Sequence, residues 1–481
     1  MSFRRPPFFA KVSALPRTNL IFPETDGTLE TAKAFWDEKI KGQERYVHMG
    51  ARKLVRDGKF ITADPDLPFV EGYMIIEDDR IAYIGDAPPA PGERFDEVID
   101  GRGKLYMPGL VNTHCHAAMT LLRGYGDDLA LQVWLEQKMW PNEAKFTDED
   151  VKWGTLLSIV EMVKGGTTCF VDMYDHMDQV AEAVRISGMR ARLTRGAIGL
   201  CPPDVQKSKL EEAIRFAKDW HGQANGRITT MMSPHAPYTC PPDFIEKFVQ
   251  AAHDLDLPIH THMSETLKEV LDNEKQYGLR PPAHLEKLGV FTRPCLVAHA
   301  VHLNDEEIDI LRRHSVHVSH NPGSNLKLAS GVARVPDMLA AGILVSLGTD
   351  SAASNNNLDM FEEMRLAALI HKGVTGDPEA VPAGEALRMG TVYGARSIWL
   401  DDVGMLKAGM KADFIALNAE QAHLYPKTDY ISHVVYSASA KDVVDVYVDG
   451  ACIVRGGECV TLDEEQIRFE AQKRFELLLS R

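Results

Sequence analysis

The stretch LYMPGLVNTHCH (105–116) is an apolar, β-rich run that ends in two histidines. Side chains alternate between the two faces of a strand, so His114 and His116 are expected on one face and Cys115 on the other. Seven further runs of this texture follow along the chain, at spacings that leave room for a helix between each pair. They are TTCFVDMY (167–174), RARLTRG (190–196), ITTMMSPHAPY (228–238), PIHTHMSE (258–265), CLVAHAV (295–301), HVSHNPGSN (317–325) and LVSLGTDSAAS (344–354).

Helical stretches lie between these runs, for example over 152–164 and 210–220. Eight strands that alternate with helices are the signature of a (β/α)8 barrel of the TIM type. We therefore predict an α/β protein whose barrel spans residues 107–399. Barrel enzymes carry their active sites at the C-terminal ends of the strands. The polar residues at those ends are therefore the candidates for chemistry.

Both ends of the chain show a different texture of short strands with alternating apolar residues. The segment GYMIIEDDRIAYIGD (72–86) predicts a hairpin that turns at Asp78-Asp79. Similar alternation returns in MKADFIALN (410–418) and VVDVYVDGACIVRGG (443–457). We predict a small β-sandwich domain from 46–106 plus 400–462, and a C-terminal helix within 463–481 that covers 464–479. Residues 1–45 are interpreted as an N-terminal extension of unknown role, with an amphipathic helix over 28–41.

Net charge, cysteine spacing and the length of apolar runs limit which kinds of molecule the protein is expected to bind. The 481 residues carry a formal charge of −16 and no long basic run, which disfavours nucleic-acid and anionic-membrane binding. Seven cysteines are spread without a C-x-x-C pair, which is typical of a reducing compartment and favours the cytoplasm. No stretch approaches the roughly 18 apolar residues of a membrane span. A small-molecule substrate is the expected partner, and an assembly of identical chains is compatible with the sequence.

Histidines stand at the ends of the first, fifth and sixth predicted strands, and one aspartate stands at the end of the eighth. An H-x-H pair such as His114 and His116 is weak evidence for a metal when it stands alone. His262 ends the fifth strand and Asp350 the eighth, and neutral imidazole with carboxylate is a typical zinc or iron set. Glu265 cannot share a face with His262, because three residues is an odd step, so the chain must turn out of the strand between them. His260 is predicted to be a packed or hydrogen-bonded core histidine.

Five motifs in this order resemble the amidohydrolase superfamily. They are PGLVNTHCH (108–116), HTHMSE (260–265), VAHAVHL (297–303), SHNPGSNLKLASG (319–331) and GTDSAASNNNLDMFEEMRLAAL (348–369). The resemblance covers about 50–460 and is closest to the methylthioadenosine/S-adenosylhomocysteine deaminases and the related triazine hydrolases. It implies one divalent metal, zinc or iron, held by His114, His116, His262 and Asp350. Members with two metals bridge them through a strand-four lysine, and Ser233-Pro234-His235 offers none.

The resemblance also implies how a deaminase would work. Asp350 would accept a proton from the attacking water, and His299 would hold that water toward the ring. Glu265, which is not a metal ligand, would protonate the ring nitrogen and later help the amine leave. Ammonia departs and a lactam remains.

Substrate contacts follow from the same resemblance. Glu143 in WPNEAK (140–145) matches a residue that binds ribose hydroxyls, and His235 in SPHAPY (233–238) matches one that contacts the nucleoside. Arg195 in LTRG (193–196) matches an arginine that faces the carboxylate of a homocysteine tail. A second arginine of the family is replaced by Lys209, a point charge without the bidentate fork.

Three hypotheses for function remain at this stage. The first is deamination of S-adenosylhomocysteine, methylthioadenosine or adenosine. The second is hydrolysis of another heterocycle, such as a triazine, a pterin or guanine. The third is a non-catalytic scaffold, which the full set of metal ligands disfavours.

Overall fold

The computed structural model describes residues 51–481. Its strands lie between Arg52 and Cys459. The extension 1–45, and with it the helix predicted over 28–41, lies outside the described residues. In chain order the strands are β1 (Arg52–Ile61), β2 (Phe69–Glu77), β3 (Arg80–Gly85), β4 (Glu97–Asp100), β5 (Lys104–Pro108), β6 (Leu110–Cys115), β7 (Thr167–Tyr174), β8 (Arg190–Ala197), β9 (Ile228–Thr230), β10 (Ser233–Pro234), β11 (Ile259–Met263), β12 (Cys295–His299), β13 (His317–His320), β14 (Val345–Leu347), β15 (Phe414–Asn418), β16 (Val443–Val448), β17 (Ala451–Arg455) and β18 (Glu458–Cys459).

One nine-stranded sheet joins strands from both ends of the chain. Its order is β18-β17-β16-β15-β5-β1-β2-β3, with β4 beside β1. The predicted hairpin is confirmed, since β2 and β3 pair antiparallel around the turn at 78–79. Apolar residues of its strands form a buried core in which Phe60 stacks on Tyr106 and Phe414 on Tyr447. The central contact is between β5 and β15, which pair antiparallel from Pro108–Phe414 to Lys104–Asn418.

The other strands form the barrel. Parallel β6, β7, β8, β9 and β10 make one arc and β11 to β14 make a second. A parallel bridge between Met232 and Ile259 joins the two arcs. The last strand meets the first where the backbone N–H of Asp350 donates to the His114 carbonyl at 3.0 Å. The predicted (β/α)8 architecture is therefore confirmed, with the ends of β6 and β14 side by side.

Helices alternate with the barrel strands and flank the outer sheet. In chain order they are α1 (Leu131–Trp134), α2 (Trp140–Glu143), α3 (Asp148–Lys164), α4 (Met177–Ser187), α5 (Pro203–Trp220), α6 (Pro242–Asp254), α7 (Leu267–Tyr277), α8 (Pro281–Lys287), α9 (Asp305–Arg313), α10 (Pro322–Lys327), α11 (Val335–Ala340), α12 (Ala352–Asn355), α13 (Met360–Thr375), α14 (Ala383–Gly390), α15 (Val392–Ser397), α16 (Tyr430–Tyr436) and α17 (Glu464–Ser480). A π-helical turn, Leu135–Met139, connects α1 to α2. The predicted C-terminal helix is thus present and one residue longer.

Several predicted strands are shorter than their sequence runs. The run 105–116 contains two strands, because Gly109 marks the point where the chain leaves the outer sheet for the barrel. A Cβ at Gly109 would lie 2.0 Å from Thr168 Oγ1, so only glycine fits there. The run 228–238 is split into β9 and β10. The run 317–325 ends as a strand at His320, because Pro322 begins a helix.

Two further observations concern the described chain. No helix within residues 51–481 is both long and apolar enough to cross a membrane. All seven cysteines are free thiols, and four of them are buried.

Candidate active site

Three imidazoles meet at the C-terminal end of the barrel. His114 and His116 lie at the end of β6 and His262 lies on β11, with ligand nitrogens all within 4.8 Å of one another. His116 Nε2 is 3.3 Å from His262 Nε2. His114 Nε2 is buried and has no hydrogen-bond partner among the described residues. Such an orphaned nitrogen needs a partner, and three nitrogens facing one point suit a metal ion of the zinc type.

The other nitrogen of each imidazole is held by a neighbour within the chain. The contacts are His114 Nδ1 to His260 Nε2 at 2.9 Å, His116 Nδ1 to the Met173 carbonyl at 2.5 Å, and His262 Nδ1 to the His235 carbonyl at 2.8 Å. An Nδ1–H that donates to such an acceptor leaves the Nε2 lone pair free to ligate. Burial lowers the pKa of His114 and of His262, which favours the neutral form that binds metals.

His260 completes this arrangement from one layer below. Its Nδ1 is 2.9 Å from the Leu296 carbonyl, and its Nε2 faces His114. A proton on His260 Nδ1 leaves its Nε2 as the acceptor for His114. The prediction of a hydrogen-bonded core histidine is confirmed, and the contact adds an orienting role for His114 that the sequence did not reveal.

Asp350 follows β14 and approaches the same point from the strand end beside β6. Its Oδ1 lies 3.4 Å from His116 Nε2 and 3.6 Å from His114 Nε2. Its Oδ2 accepts hydrogen bonds from the hydroxyls of Ser324 at 2.6 Å and Ser354 at 2.9 Å. Burial alone would raise the pKa of Asp350, but the neighbouring histidines and these hydroxyls hold it below its ordinary value. One carboxylate oxygen is therefore fixed and the other is directed at the histidines.

Glu265 and His299 lie side by side at the edge of this group. His299 Nε2 is 3.8 Å from Glu265 Oε2, and His299 Nδ1 is 2.8 Å from Asn325 Oδ1. The Ser330 hydroxyl donates to Glu265 Oε1 at 3.3 Å. Burial raises the pKa of Glu265. Burial alone would lower the pKa of His299, but the carboxylates of Glu265 and Asp350 bring that pKa above its ordinary value.

The backbone is strained where three barrel strands deliver these residues. Ser264, His299 and Asp350 have φ angles of 53°, 75° and 59°, in the left-handed region that residues other than glycine rarely adopt. Each such residue costs roughly 1–3 kcal/mol. At Ser264 the left-handed turn takes the chain out of β11, as the odd spacing between His262 and Glu265 predicted. The strain therefore redirects side chains toward the centre.

The structure places two predicted substrate contacts near the histidines. The His235 ring centroid is 4.5 Å from that of His262, and burial lowers the pKa of His235 to about 3. Glu143 ends α2, where its Oε1 accepts a hydrogen bond from the Tyr174 hydroxyl at 2.7 Å. Burial raises the pKa of Glu143. Glu143 is therefore a half-buried, hydrogen-bonded carboxyl group rather than a solvated helix residue.

The third predicted contact, Arg195, is engaged within the chain. It lies on β8 and is only 5% exposed. Its Nε donates to Glu212 at 3.0 Å, its Nη2 is 2.9 Å from Asp175 Oδ1, and its Nη1 donates to the Gly196 carbonyl. Lys209 donates to a backbone carbonyl at 3.0 Å. A substrate carboxylate at Arg195 would have to displace Asp175, whose side chain is half exposed.

Sequence reasoning missed the hydroxyl and amide groups that support the site. Ser324, Asn325 and Ser330 fall in the motif 319–331, and Ser354 falls in the motif 348–369. The available signal was a cluster of small polar residues directly after the seventh and eighth strands. The partners of Ser324, Asn325 and Ser330 could not be read from that signal, because each contacts a residue from a different strand end.

Comparison with known proteins agrees with this architecture. The model of the amidohydrolase family matches residues 105–453, and the chain belongs to that family. The membership predicted from five motifs is thereby confirmed. Members of the family depend on a metal, and the three-histidine group offers ligands for one.

Within the family, relatives similar along nearly their whole length share one name. The 5-methylthioadenosine/S-adenosylhomocysteine deaminase of Halalkalibacterium halodurans is 50% identical over 429 residues, which are 88% of this chain and 98% of the relative. The enzyme of the same name from Dictyoglomus thermophilum is 52% identical over 387 residues, covering 80% and 90%.

Solved structures give the same picture of the fold. An adenosine deaminase from Xanthomonas campestris with bound zinc has a TM-score of 0.84 at 33% identity, over 90% of this chain and 99% of that one. The atrazine chlorohydrolase of Arthrobacter aurescens, complexed with zinc, has a TM-score of 0.82 at 25% identity, over 88% and 100%.

Proposed function

We propose that this protein is a metal-dependent deaminase that hydrolyses the exocyclic amine of adenosine derivatives and releases ammonia. Its substrates are S-adenosylhomocysteine, methylthioadenosine and adenosine. The observation that carries the proposal is a buried carboxyl group, Glu265, that stands beside a three-histidine group without joining it. The names of the relatives with about half of their residues in common support the substrate class.

One divalent metal, most simply zinc, is assigned to His114, His116, His262 and Asp350. When bound, such an ion lowers the pKa of a coordinated water from about 15.7 to about 7. A nitrogen-rich set with one carboxylate suits zinc, and zinc is the metal of the related solved structures. The seven free thiols support a cytoplasmic location. Assembly of identical chains remains compatible with the proposal.

The side chains divide the chemistry among them. Asp350 accepts the proton of the attacking water, while its second oxygen stays fixed by two serines. His299, held by Asn325, directs that water at the carbon that carries the amine. Glu265, whose pKa burial raises, gives a proton to the adjacent ring nitrogen and then assists loss of the amine. One water is consumed, and an inosine derivative and ammonia are formed.

A cleft lined in part by Thr266, the residue after Glu265, has the size that a nucleoside requires. Its volume is about 400 Å³, within the range of small-molecule sites. Leu129, Leu131 and Leu328 give it apolar walls, and Thr266 and Ala329 adjoin Glu265 and Ser330 in the chain. The leucines suit a purine or a methylthio group, and the cleft also carries the charged residues Asp128, Lys268 and Lys327. Glu143 and His235 are assigned to the ribose and the nucleoside.

A substrate panel tests the proposal. Zinc-loaded protein is expected to release ammonia from S-adenosylhomocysteine, methylthioadenosine and adenosine, with far lower kcat/KM for guanine and for a chlorotriazine. Ammonia and chloride release are measured under initial-rate conditions, with chelator-treated protein as the control. Preferred turnover of guanine, a pterin or the chlorotriazine would replace the adenosine hypothesis by hydrolysis of another heterocycle, and no turnover at all would favour a scaffold.

Arg195→Met is expected to reduce kcat/KM for S-adenosylhomocysteine by roughly ten- to a hundred-fold. Hydrogen bonds to a charged group contribute about 1.5–3 kcal/mol, and each decade of kcat/KM corresponds to about 1.4 kcal/mol. Adenosine and methylthioadenosine lack the carboxylate and should be affected much less. Steady-state kinetics on all three substrates checks this expectation.

The matched control is Arg215→Met, since Arg215 is also paired with carboxylates but is half exposed on α5. It should leave all three substrates unchanged. Equal losses on all three substrates in Arg195→Met would mean that the pairs with Asp175 and Glu212 are its only role.

A further inference from the structure

We propose that Glu363 is a positioning residue that holds the metal-facing carboxylate of Asp350 from behind. The inference deepens the proposed function and rests on its assignment of Asp350 as a metal ligand. Glu363 lies on α13, is fully buried, and touches neither the histidines nor the cleft residues named above. Its effect would be transmitted through two short helices, α10 and α12.

The two oxygens of Glu363 bind two different short helices, α10 and α12. Oε2 accepts a hydrogen bond from the backbone N–H of Gly323 at 3.0 Å, in the segment that follows β13. Oε1 accepts one from Asn355 Nδ2 at 2.6 Å, in the segment that follows β14. Burial raises the pKa of Glu363 to about 8, and both donors act against that rise. A single carboxyl group thus ties together the ends of two neighbouring barrel strands.

Each anchored residue is the chain neighbour of a serine that binds Asp350. Gly323 precedes Ser324 and Asn355 follows Ser354, and both hydroxyls donate to Asp350 Oδ2. Asn355 Nδ2 also donates to the Thr349 carbonyl at 2.8 Å, directly before Asp350. The two hydroxyls can hold one oxygen of Asp350 only while α10 and α12 keep their spacing.

The contact is too close to admit another residue at position 323. A Cβ on Gly323 would lie 2.4 Å from Glu363 Oε1 and 2.7 Å from Asn355 Nδ2. The backbone of the first turn of α10 therefore packs directly on the buried carboxyl group. Glutamine at 363 would keep the volume but offer one acceptor and one NH2 group, so one of the two donors would face another donor.

Glu363→Gln is expected to weaken zinc binding by roughly 10- to 100-fold, the usual cost of losing an outer partner of a metal ligand. The zinc dissociation constant is measured by competition with a chromogenic chelator. The visible absorption of the cobalt-loaded protein should also change, because the geometry around Asp350 changes. At saturating zinc, kcat should fall more than KM rises, since the substrate contacts are untouched.

Glu362→Gln is the matched control, one position away on the same helix. Glu362 is exposed and accepts a hydrogen bond from Asn357 at 2.9 Å. It should leave zinc affinity, the cobalt spectrum and kcat unchanged. If Glu363→Gln matches the parent in zinc affinity and in the cobalt spectrum, the positioning role is overturned.

A double-mutant cycle tests whether Glu363 acts through the serines. Ser354→Ala and Glu363→Gln should each weaken zinc binding, and the double variant should be little worse than the poorer single variant. Fully additive losses would mean independent effects and would overturn the proposed route. Should Glu363→Gln fail to fold, Asn355→Ala removes one of the two Glu363 contacts together with the bond to the Thr349 carbonyl, and it should also weaken zinc binding. A parent that binds zinc but does not deaminate would instead refute the proposed function.

Discussion

Glu265→Gln is expected to bind its metal like the parent while kcat falls by roughly 10²- to 10⁴-fold, the range that a positioned proton donor contributes. Glutamine keeps the shape of the side chain and can still accept from Ser330 at Oε1. It carries no transferable proton, so the ring nitrogen would go unprotonated as the water attacks. Metal content by mass spectrometry and steady-state ammonia release on the same sample check both halves of the expectation.

The pH dependence gives a second measurement on the same variant. Glu265 must be protonated to act as the donor, and burial raises its pKa. The parent's kcat should therefore hold up to the raised pKa and decline as the pH passes above it. That alkaline decline should be absent from Glu265→Gln. Glu274→Gln, exposed on the next helix, is the control, and a Glu265→Gln variant nearly as active as the parent would refute the proton-donor assignment.

His262→Ala is expected to lose both metal and activity. The change deletes one of three imidazoles whose nitrogens lie within 4.8 Å of one another, and a metal held by the remaining ligands should dissociate on purification. Parent protein should hold about one zinc per chain, and the variant should hold almost none, with turnover reduced more than roughly 10³-fold. Metal analysis after gel filtration and ammonia release measure the two effects.

Exposed His253 on α6 supplies the control for that experiment. His253→Ala keeps all the assigned ligands and should match the parent. A parent with a reproducible two metals per chain would overturn the one-metal proposal. Full metal retention in His262→Ala would remove His262 from the ligand set. Circular dichroism separates either result from unfolding.

The arrangement of the strands was predictable because side-chain alternation and helix spacing are local properties of the chain. The same local rule placed His114 and His116 together, and their ring centroids lie 4.8 Å apart. It also required an exit from β11 before Glu265, which the left-handed Ser264 provides. Strand ends were less predictable, since β13 and β14 stop where proline or a loop begins rather than where apolar residues end.

Partnerships across the barrel were not predictable. His114 and His260 are 146 residues apart, so closure of the barrel decides their contact. Asp350 and Ser324 follow the paired neighbours β14 and β13, and their contact depends on the conformation of the segments after those strands. Arg195 illustrates the same limit. Its residue type indicated anion binding, but its carboxylate neighbours come from the loop after β7 and from α5. No local pattern along β8 encodes those two neighbours.

The pairing of β5 with β15 also means that, during synthesis, β5 must wait for its second partner strand. About 300 residues separate Pro108 from Phe414, and at about 5–20 residues per second the ribosome needs roughly 15–60 s to make them. Throughout that interval β5 has a partner on one side only, and its free backbone edge can recruit strands from other molecules. Chaperone capture during synthesis would matter most for this early edge, well before the last strands emerge.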